Sequence, residues 1–446
     1  MSALSELARL DLESVWHPLT QHRGLEARLP LEIVSGEGVF LIDAQGRRIL
    51  DGVSGLWCVN VGYGREELAE VARDQMANLA YLPATLIHGP AANLARKLTG
   101  MLGYESKVYF TNSGSEANEV AFKVARQYHA QTGSPGRYTI IARHRGYHGN
   151  TLGALSATGQ AERKLGYGPL APGFLHVDAP DLYRNGRDAA EHLDQTIERE
   201  GAETVAAFIM EPIIAGGGVL IPPDSYLAHV REICDRHGVL LILDEVVTAL
   251  GRVGAPFAHQ VYGVEPDIIT LGKGLASGYQ PLAAMIAKQH VFEAFGGEPH
   301  ELRHLRHVNT YGGHPVATAV GLRNIEIMER EQLFDRAAKT GDALLGRLVD
   351  LESHPNVGNV RGRGMLIGIE LVEDHESKTP LAAAAAGAVV ARCARDGVII
   401  GRTTNTAPGH GNVLILAPPL VLAEDESDLL AGTLETAIRE ELPSTS

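Results

Sequence analysis

Apolar residues fall in short unbroken runs through the middle of the chain: Tyr138–Ala142, Val205–Met210, Val239–Leu243, Ile268–Leu271 and Ala283–Ala287. Runs of this length without polar alternation predict strands buried on both faces of a sheet. Lys107–Thr111 reads as a strand before them. Between strands the spacing turns helical: Ala117, Val120, Ala121, Val124 and Tyr128 share one face, and Tyr226–His237 stops at Gly238. Strand after helix at this rhythm predicts an α/β fold around a mostly parallel sheet with crossover helices.

The flanks read differently. Gly36–Gly52 alternates about Ala44-Gln45-Gly46, a hairpin signature, and helices are expected over Glu66–Ala80 and Ala91–Leu102. A long helical pattern starts near Pro315 and continues past Glu329. After Asp350 the pattern gives a hairpin (Val360–Val372), an alanine-rich helix (Leu381–Asp396), a strand with a proline exit (Val413–Leu422) and a final helix (Asp425–Glu441). The expected organisation is a large domain over 65–330, with 1–64 and 331–446 combining into a smaller α+β domain.

Length and charge narrow the function classes. The 446 residues allow two or three domains and a large core. A formal charge of −15 with no basic run excludes a nucleic-acid footprint, so any anionic ligand needs local positive groups. Cys58, Cys234 and Cys393 stand far apart without metal-ligand spacing, which predicts no metal site and fits a reducing cytosol. The first residues lack a signal-peptide core and no apolar run approaches a membrane span; the expectation is a soluble cytoplasmic protein.

Chemistry concentrates at the ends of the predicted strands. Val239–Leu243 leads into Asp244-Glu245, and Ile268–Leu271 into Gly272-Lys273-Gly274. Ionisable groups there lie where open α/β sheets bind ligands. An amine and a carboxylate so poised are what pyridoxal phosphate needs: lysine to take up its aldehyde, aspartate to keep its ring nitrogen protonated. Glu211-Pro212 ends another strand and should meet the same rim. Ser113-Gly114-Ser115 opens a helix, as a phosphate cradle or as a plain serine cap. Tyr147, between Gly146 and His148-Gly149, is either a ring-stacking aromatic or a structural loop residue. His148 is a partner for cofactor or Asp244, or a loop histidine. Trp57 is a pocket wall or core. Asn309–Pro315, with Thr310, is a second candidate anion loop, and Arg402 is a clamp for a carboxylate or sulfonate or a solvated surface group.

Together these pieces resemble the class III aminotransferases, fold-type I pyridoxal phosphate enzymes. The matching segments are Gly55–Arg65, Thr111–Arg126, Gly146–Thr151, Glu211–Ile213, Leu243–Gly254, Asp267–Ala284 and Asn309–Ala317. Within the class, Tyr147–Lys164, Ala171–Arg184 and Asn412–Leu422 look closest to taurine:pyruvate and amine:pyruvate enzymes. The resemblance implies Lys273 as the cofactor-binding lysine, Asp244 as the ring-nitrogen partner and Val246 behind the ring. It implies Tyr147 on the other face, Gly114 and Ser115 at the phosphate, and Thr310 reaching the phosphate from the second subunit of a homodimer, which can pair further into a tetramer. Trp57 matches a pocket-wall tryptophan, and Arg402 a mobile arginine that receives the acceptor's carboxylate.

One departure separates subgroups. γ-Aminobutyrate and ornithine aminotransferases carry a glutamate five residues after the Glu-Pro glutamate, paired with the active-site arginine; here that position is Gly216. Arg402 then lacks an internal partner, which favours pyruvate as acceptor over 2-oxoglutarate. Val247 stands where glutamine is common in the class. The expected reaction moves an amino group from taurine, another ω-amino acid or a primary amine to pyruvate, giving an aldehyde or ketone and alanine. β-Alanine or general amine transamination, or an aminomutase or decarboxylase of the same class, are the alternatives.

Overall fold

The computed structural model describes residues 5–25, 29–184, 189–404, 406 and 409–442, and is built on a seven-stranded sheet. Its strands in chain order are β1 (Ser106–Thr111), β2 (Thr139–Arg143), β3 (Phe174–Val177), β4 (Val205–Met210), β5 (Leu240–Asp244), β6 (Ile268–Leu271) and β7 (Ala283–Lys288). They lie side by side as β1-β7-β6-β5-β4-β2-β3. Only β7 runs against its neighbours; β1 therefore points the same way as the other five. Six strands thus deliver their C-terminal ends to one edge, where an open α/β sheet holds its ligand.

β4, β5 and β6 are buried at every residue, as unbroken apolar runs require. Helix α1 (Gly114–Gln131) follows β1 and buries Ala117, Val120, Ala121 and Val124. Asn118 is buried with them, a polar group in an apolar stripe. Several elements fall outside the predicted set, and two of them show why. β3 has only four residues, three of them half-buried at the sheet edge, too few to show a period. Helix Ala189–Glu200 hides a short stripe (Ala189, Ala190, Leu193, Ile197) in a strongly charged run.

The N-terminal hairpin is a three-stranded meander, Ile33–Glu37, Phe40–Asp43 and Arg48–Asp51, because Gly38 at φ 57° makes an extra turn. Val398–Ile399 joins it in parallel, so both ends of the chain share this sheet. A further four-stranded sheet holds Val357–Arg363, Leu366–Leu371, Val413–Leu416 and Gly401–Arg402. The long pattern after Pro315 resolves into two helices, Pro315–Arg330 and Leu333–Leu348, broken at Gln332, whose φ of 53° no helix continues. One apolar core runs from the large sheet through these helices to the last helix, Glu424–Glu441. Among the described residues no helix is long and apolar enough to cross a membrane, and all three cysteines are free.

Candidate active site

A cavity of about 410 Å³ opens at the C-terminal edge of the sheet. It is lined by Trp57, Ser113, Gly114, Ser115, Tyr147, His148, Glu211, Asp244, Val246 and Lys273, among others. Residues spread from 57 to 273 meet here because the parallel strands end together.

Asp244 closes β5, with Thr270 of β6 as its register partner. It is 3% exposed, and a carboxylate so buried must be hydrogen-bonded. Oδ2 accepts from Asn118 Nδ2 at 2.8 Å and lies 2.9 Å from His148 Nδ1; Oδ1 accepts from the Val246 N–H at 3.1 Å. Burial pushes its pKa up, but the His148 hydrogen bond and charge, with the Asn118 and Val246 donors, outweigh it and hold the carboxyl below its ordinary range. Asp244 is a fixed anion in a low-dielectric site.

Asn118 organises this corner and was missed by sequence reasoning. Its Nδ2 donates to Asp244 and to the His148 carbonyl (2.7 Å), and its Oδ1 accepts from Thr270 Oγ1 (2.8 Å). Those partners leave the amide one orientation. The available signal was an asparagine one residue from Ala117 on the buried stripe of a helix. His148 is held from behind by its N–H donating to Thr158 Oγ1 at 2.9 Å, and its buried Nε2 has no partner among the described residues.

Lys273 follows β6 directly, at φ 41°. A side chain in that left-handed region costs on the order of 1–2 kcal/mol, so the surrounding structure must impose it. Its Nζ lies 5.8 Å from the Trp57 ring centroid. Glu211, just past β4, does not point a free carboxylate at the cavity: Oε1 accepts from the Tyr147 N–H (2.9 Å) and Oε2 from Ala215 N–H (3.0 Å). Burial raises its pKa against those donors. Its visible work is to pin the loop that carries Tyr147.

Ser113 caps α1, its Oγ accepting from the Glu116 N–H at 3.2 Å. The Gly114 and Ser115 N–H groups, first in an 18-residue helix, donate to no acceptor among the described residues, and the helix dipole adds positive potential there. Gly114 must be glycine: a Cβ would stand 2.9 Å from Val246 Cγ2. The Ser115 hydroxyl is tied to Asn150, donating to Oδ1 and accepting from its N–H, both at 3.1 Å.

Two predicted residues stand elsewhere. Thr310 is exposed and outside the cavity of its own chain; its carbonyl accepts from Tyr81 OH at 2.9 Å. Arg402 lines a second cavity of about 550 Å³ with Leu19, Glu162, Pro380 and Thr403. Among the described residues its side chain makes one hydrogen bond there, a long one from Nη1 to the Gly411 carbonyl at 3.4 Å. At Gly216, where a glutamate would distinguish other subgroups, a Cβ would come 3.3 Å from the Trp57 ring, so a side chain there would press on the indole.

A buried anion, an amine at a neighbouring strand end and free N–H donors on a helix N-terminus fit pyridoxal phosphate: ring nitrogen, aldehyde and phosphate each find a matching group. The comparisons agree. The family model for class-III aminotransferases matches residues 23–438, and the chain belongs to that family. It is 51% identical to an uncharacterized aminotransferase of Bacillus subtilis over 97% of this chain and 96% of that one. It is 42% identical to the taurine–pyruvate aminotransferase of Bilophila wadsworthia, over 97% of each. Among solved structures, a thermostable (S)-enantioselective ω-transaminase of Thermomicrobium roseum superposes with a TM-score of 0.92 at 41% identity, over 98% of this chain and 99% of the other. The Pseudomonas jessenii ω-transaminase, solved in complex with PMP, superposes at 0.93 with 35% identity, over 98% of each chain. The protein is an aminotransferase with the fold-type I architecture, and its cofactor is pyridoxal phosphate.

Proposed function

We propose that the protein transfers an amino group from an ω-amino acid, with a taurine-like aminosulfonate preferred, to pyruvate. The observation that carries this is the Trp57 ring occupying the space beside Gly216. A wall there leaves Arg402 without an internal carboxylate partner, which suits a short acceptor. The relative from B. wadsworthia, named for taurine and pyruvate and matched from end to end, supports the same reading.

When bound, the cofactor supplies an electron-accepting ring and an aldehyde carbon that stores the amino group between the two halves of the reaction. The protein's own groups do the rest. Asp244, held ionised, keeps a proton on the ring nitrogen, and His148 and Asn118 fix its carboxylate in place. Lys273 Nζ would take the proton from the donor carbon that loses the amino group and give it to the carbon that keeps it. Ser113, Gly114 and Ser115 hold the phosphate, Val246 and Tyr147 flank the ring, and Trp57 shapes the donor pocket. Arg402 turns in from its own cavity to receive the pyruvate carboxylate.

A second copy of the chain completes the site in this reading, with Thr310 as its contribution to the phosphate. Ile87 (95% exposed), Val308, Tyr311 and Leu86 support it, an apolar set left on the surface around Thr310 and Tyr81. We place this homodimer in the cytoplasm. The test is alanine formation by the cofactor-loaded enzyme from taurine, hypotaurine, β-alanine and 1-phenylethylamine, with pyruvate and 2-oxoglutarate as rival acceptors. Alanine from an acid-bearing amine supports the reading. Faster glutamate formation from 2-oxoglutarate, or no alanine from any donor, overturns it.

A further inference from the structure

The site described so far has a single arginine for two acid groups, and that arginine lies in a different cavity. A second arginine stands against a residue that lines the first cavity. The turn Ala161–Lys164 follows the Tyr147 loop, and its Glu162 lines the cavity that holds Arg402. Arg163, the next residue, lies against Tyr147. Its guanidinium carbon lies 4.8 Å from the centroid of the Tyr147 ring, and Tyr147 lines the cavity of Lys273 and Asp244.

Three features distinguish Arg163 from an ordinary surface cation. It forms no ion pair among the described residues, in a chain with 54 acidic side chains against 39 basic ones. It is oriented: Nε donates to Gln160 Oε1 at 2.6 Å, and Gln160 is fully buried, fixed by Nε2 donating to the Arg145 carbonyl at 3.0 Å. Gln160 also reaches the pocket wall, its Nε2 3.6 Å from where a Cβ on Gly216 would stand, beside Trp57. Its two terminal nitrogens donate to no protein acceptor among the described residues and are not sealed from solvent. A planar fork with both ends open is matched to a carboxylate or sulfonate. Stacking on Tyr147 holds the fork beside the cavity mouth without neutralising it.

We propose that Arg163 is the receptor for the acid group of the amino donor, selecting short amines that end in a sulfonate, sulfinate or carboxylate. Arg402 is then left for the acceptor. The inference rests on the transaminase reading above and assigns the anion specificity of that same site.

The test compares the holoenzyme with Arg163→Gln and Arg163→Lys. For each, kcat/KM for taurine and β-alanine is divided by kcat/KM for 1-phenylethylamine, with pyruvate saturating; the KM of pyruvate is measured separately. Ethanesulfonate, which cannot react, serves as a competitive probe of the anion site. Loss of a charged fork should lower the acid-to-neutral ratio about 10- to 100-fold in the Gln variant, through KM rather than kcat. Lys should restore part of it, and ethanesulfonate inhibition should weaken in parallel. A ratio held within roughly threefold, both donors falling together, means that Arg163 only braces Tyr147 and overturns the inference. So does a pyruvate KM that rises in step with that of taurine. A wild-type enzyme that makes alanine from 1-phenylethylamine but uses no acid-bearing amine overturns this inference while leaving transamination standing. No alanine from any donor removes the underlying reading as well.

Discussion

Asn118→Ala tests the electrostatic frame of the site most directly. The amide makes three buried contacts: to Asp244 Oδ2, to the His148 carbonyl and from the Thr270 hydroxyl. Alanine removes all three, and a hydrogen bond to a charged group contributes about 1.5–3 kcal/mol, each neutral orphan about 1 kcal/mol more. A water in the vacated space recovers part, so the expected deficit at neutral pH is about 2–5 kcal/mol. Its pH dependence is the sharper signature. Asp244 is held below its ordinary pKa, so folding favours its ionised form. The stability this gives is present above the ordinary carboxylate range and is lost as pH falls through the folded value. Removing one donor reduces that contribution; the deficit of Asn118→Ala must therefore shrink as the pH falls, by about the charged bond's share of 1.5–3 kcal/mol. Thr270→Val, which spares the Asp244 contact, should show a smaller deficit that does not vary with pH. Urea unfolding of the cofactor-free chains across neutral to acidic pH measures both. A deficit below about 1 kcal/mol at neutral pH, or one equally large in acid, refutes the argument.

Three further outcomes follow from the geometry. Lys273→Ala should lower turnover by at least about 10²- to 10⁴-fold and abolish the visible absorbance of lysine-bound cofactor, read by spectrophotometry of the reconstituted protein. Gly216→Glu should destabilise the chain by about 1–3 kcal/mol through collision with the Trp57 ring, seen as a lowered Tm, and adding Trp57→Ala should recover at least half of the loss. Arg402→Ala should raise the pyruvate KM about tenfold or more while affecting loading by a neutral amine much less; equal losses in the two half-reactions speak against the clamp.

The large sheet was legible because its strands are buried on both faces, which leaves an unbroken apolar signature in β4, β5 and β6. β3 escaped because an edge strand of four half-covered residues carries no such mark. The acid and amine, Asp244 and Lys273, were readable from their position at strand ends. Asn118 was not, since its importance arises from what β6 and the Tyr147 loop bring to it across the sheet, and no local pattern records that. The same holds for Arg163: in sequence it is one basic residue in Ala161–Lys164, and only the fold sets it on Tyr147. Loops that converge from distant parts of the chain are the least legible from spacing, because spacing describes single elements.

The relation between Gly216, Trp57 and Arg402 goes one step further. A side chain on Gly216 would crowd the indole, since a Cβ would already meet the ring at 3.3 Å. If Trp57 walls the donor pocket and Arg402 serves the acceptor, as proposed, this arrangement gives the donor a wall and leaves the arginine without a counter-charge at position 216. An unpaired guanidinium left inside the pocket would be costly whenever a neutral donor occupied it. Arg402 instead rests in the second cavity, with one side-chain hydrogen bond among the described residues, at 3.4 Å. On the proposed reading, so long a contact costs little to give up, and Arg402 would exchange its resting cavity for an acceptor carboxylate.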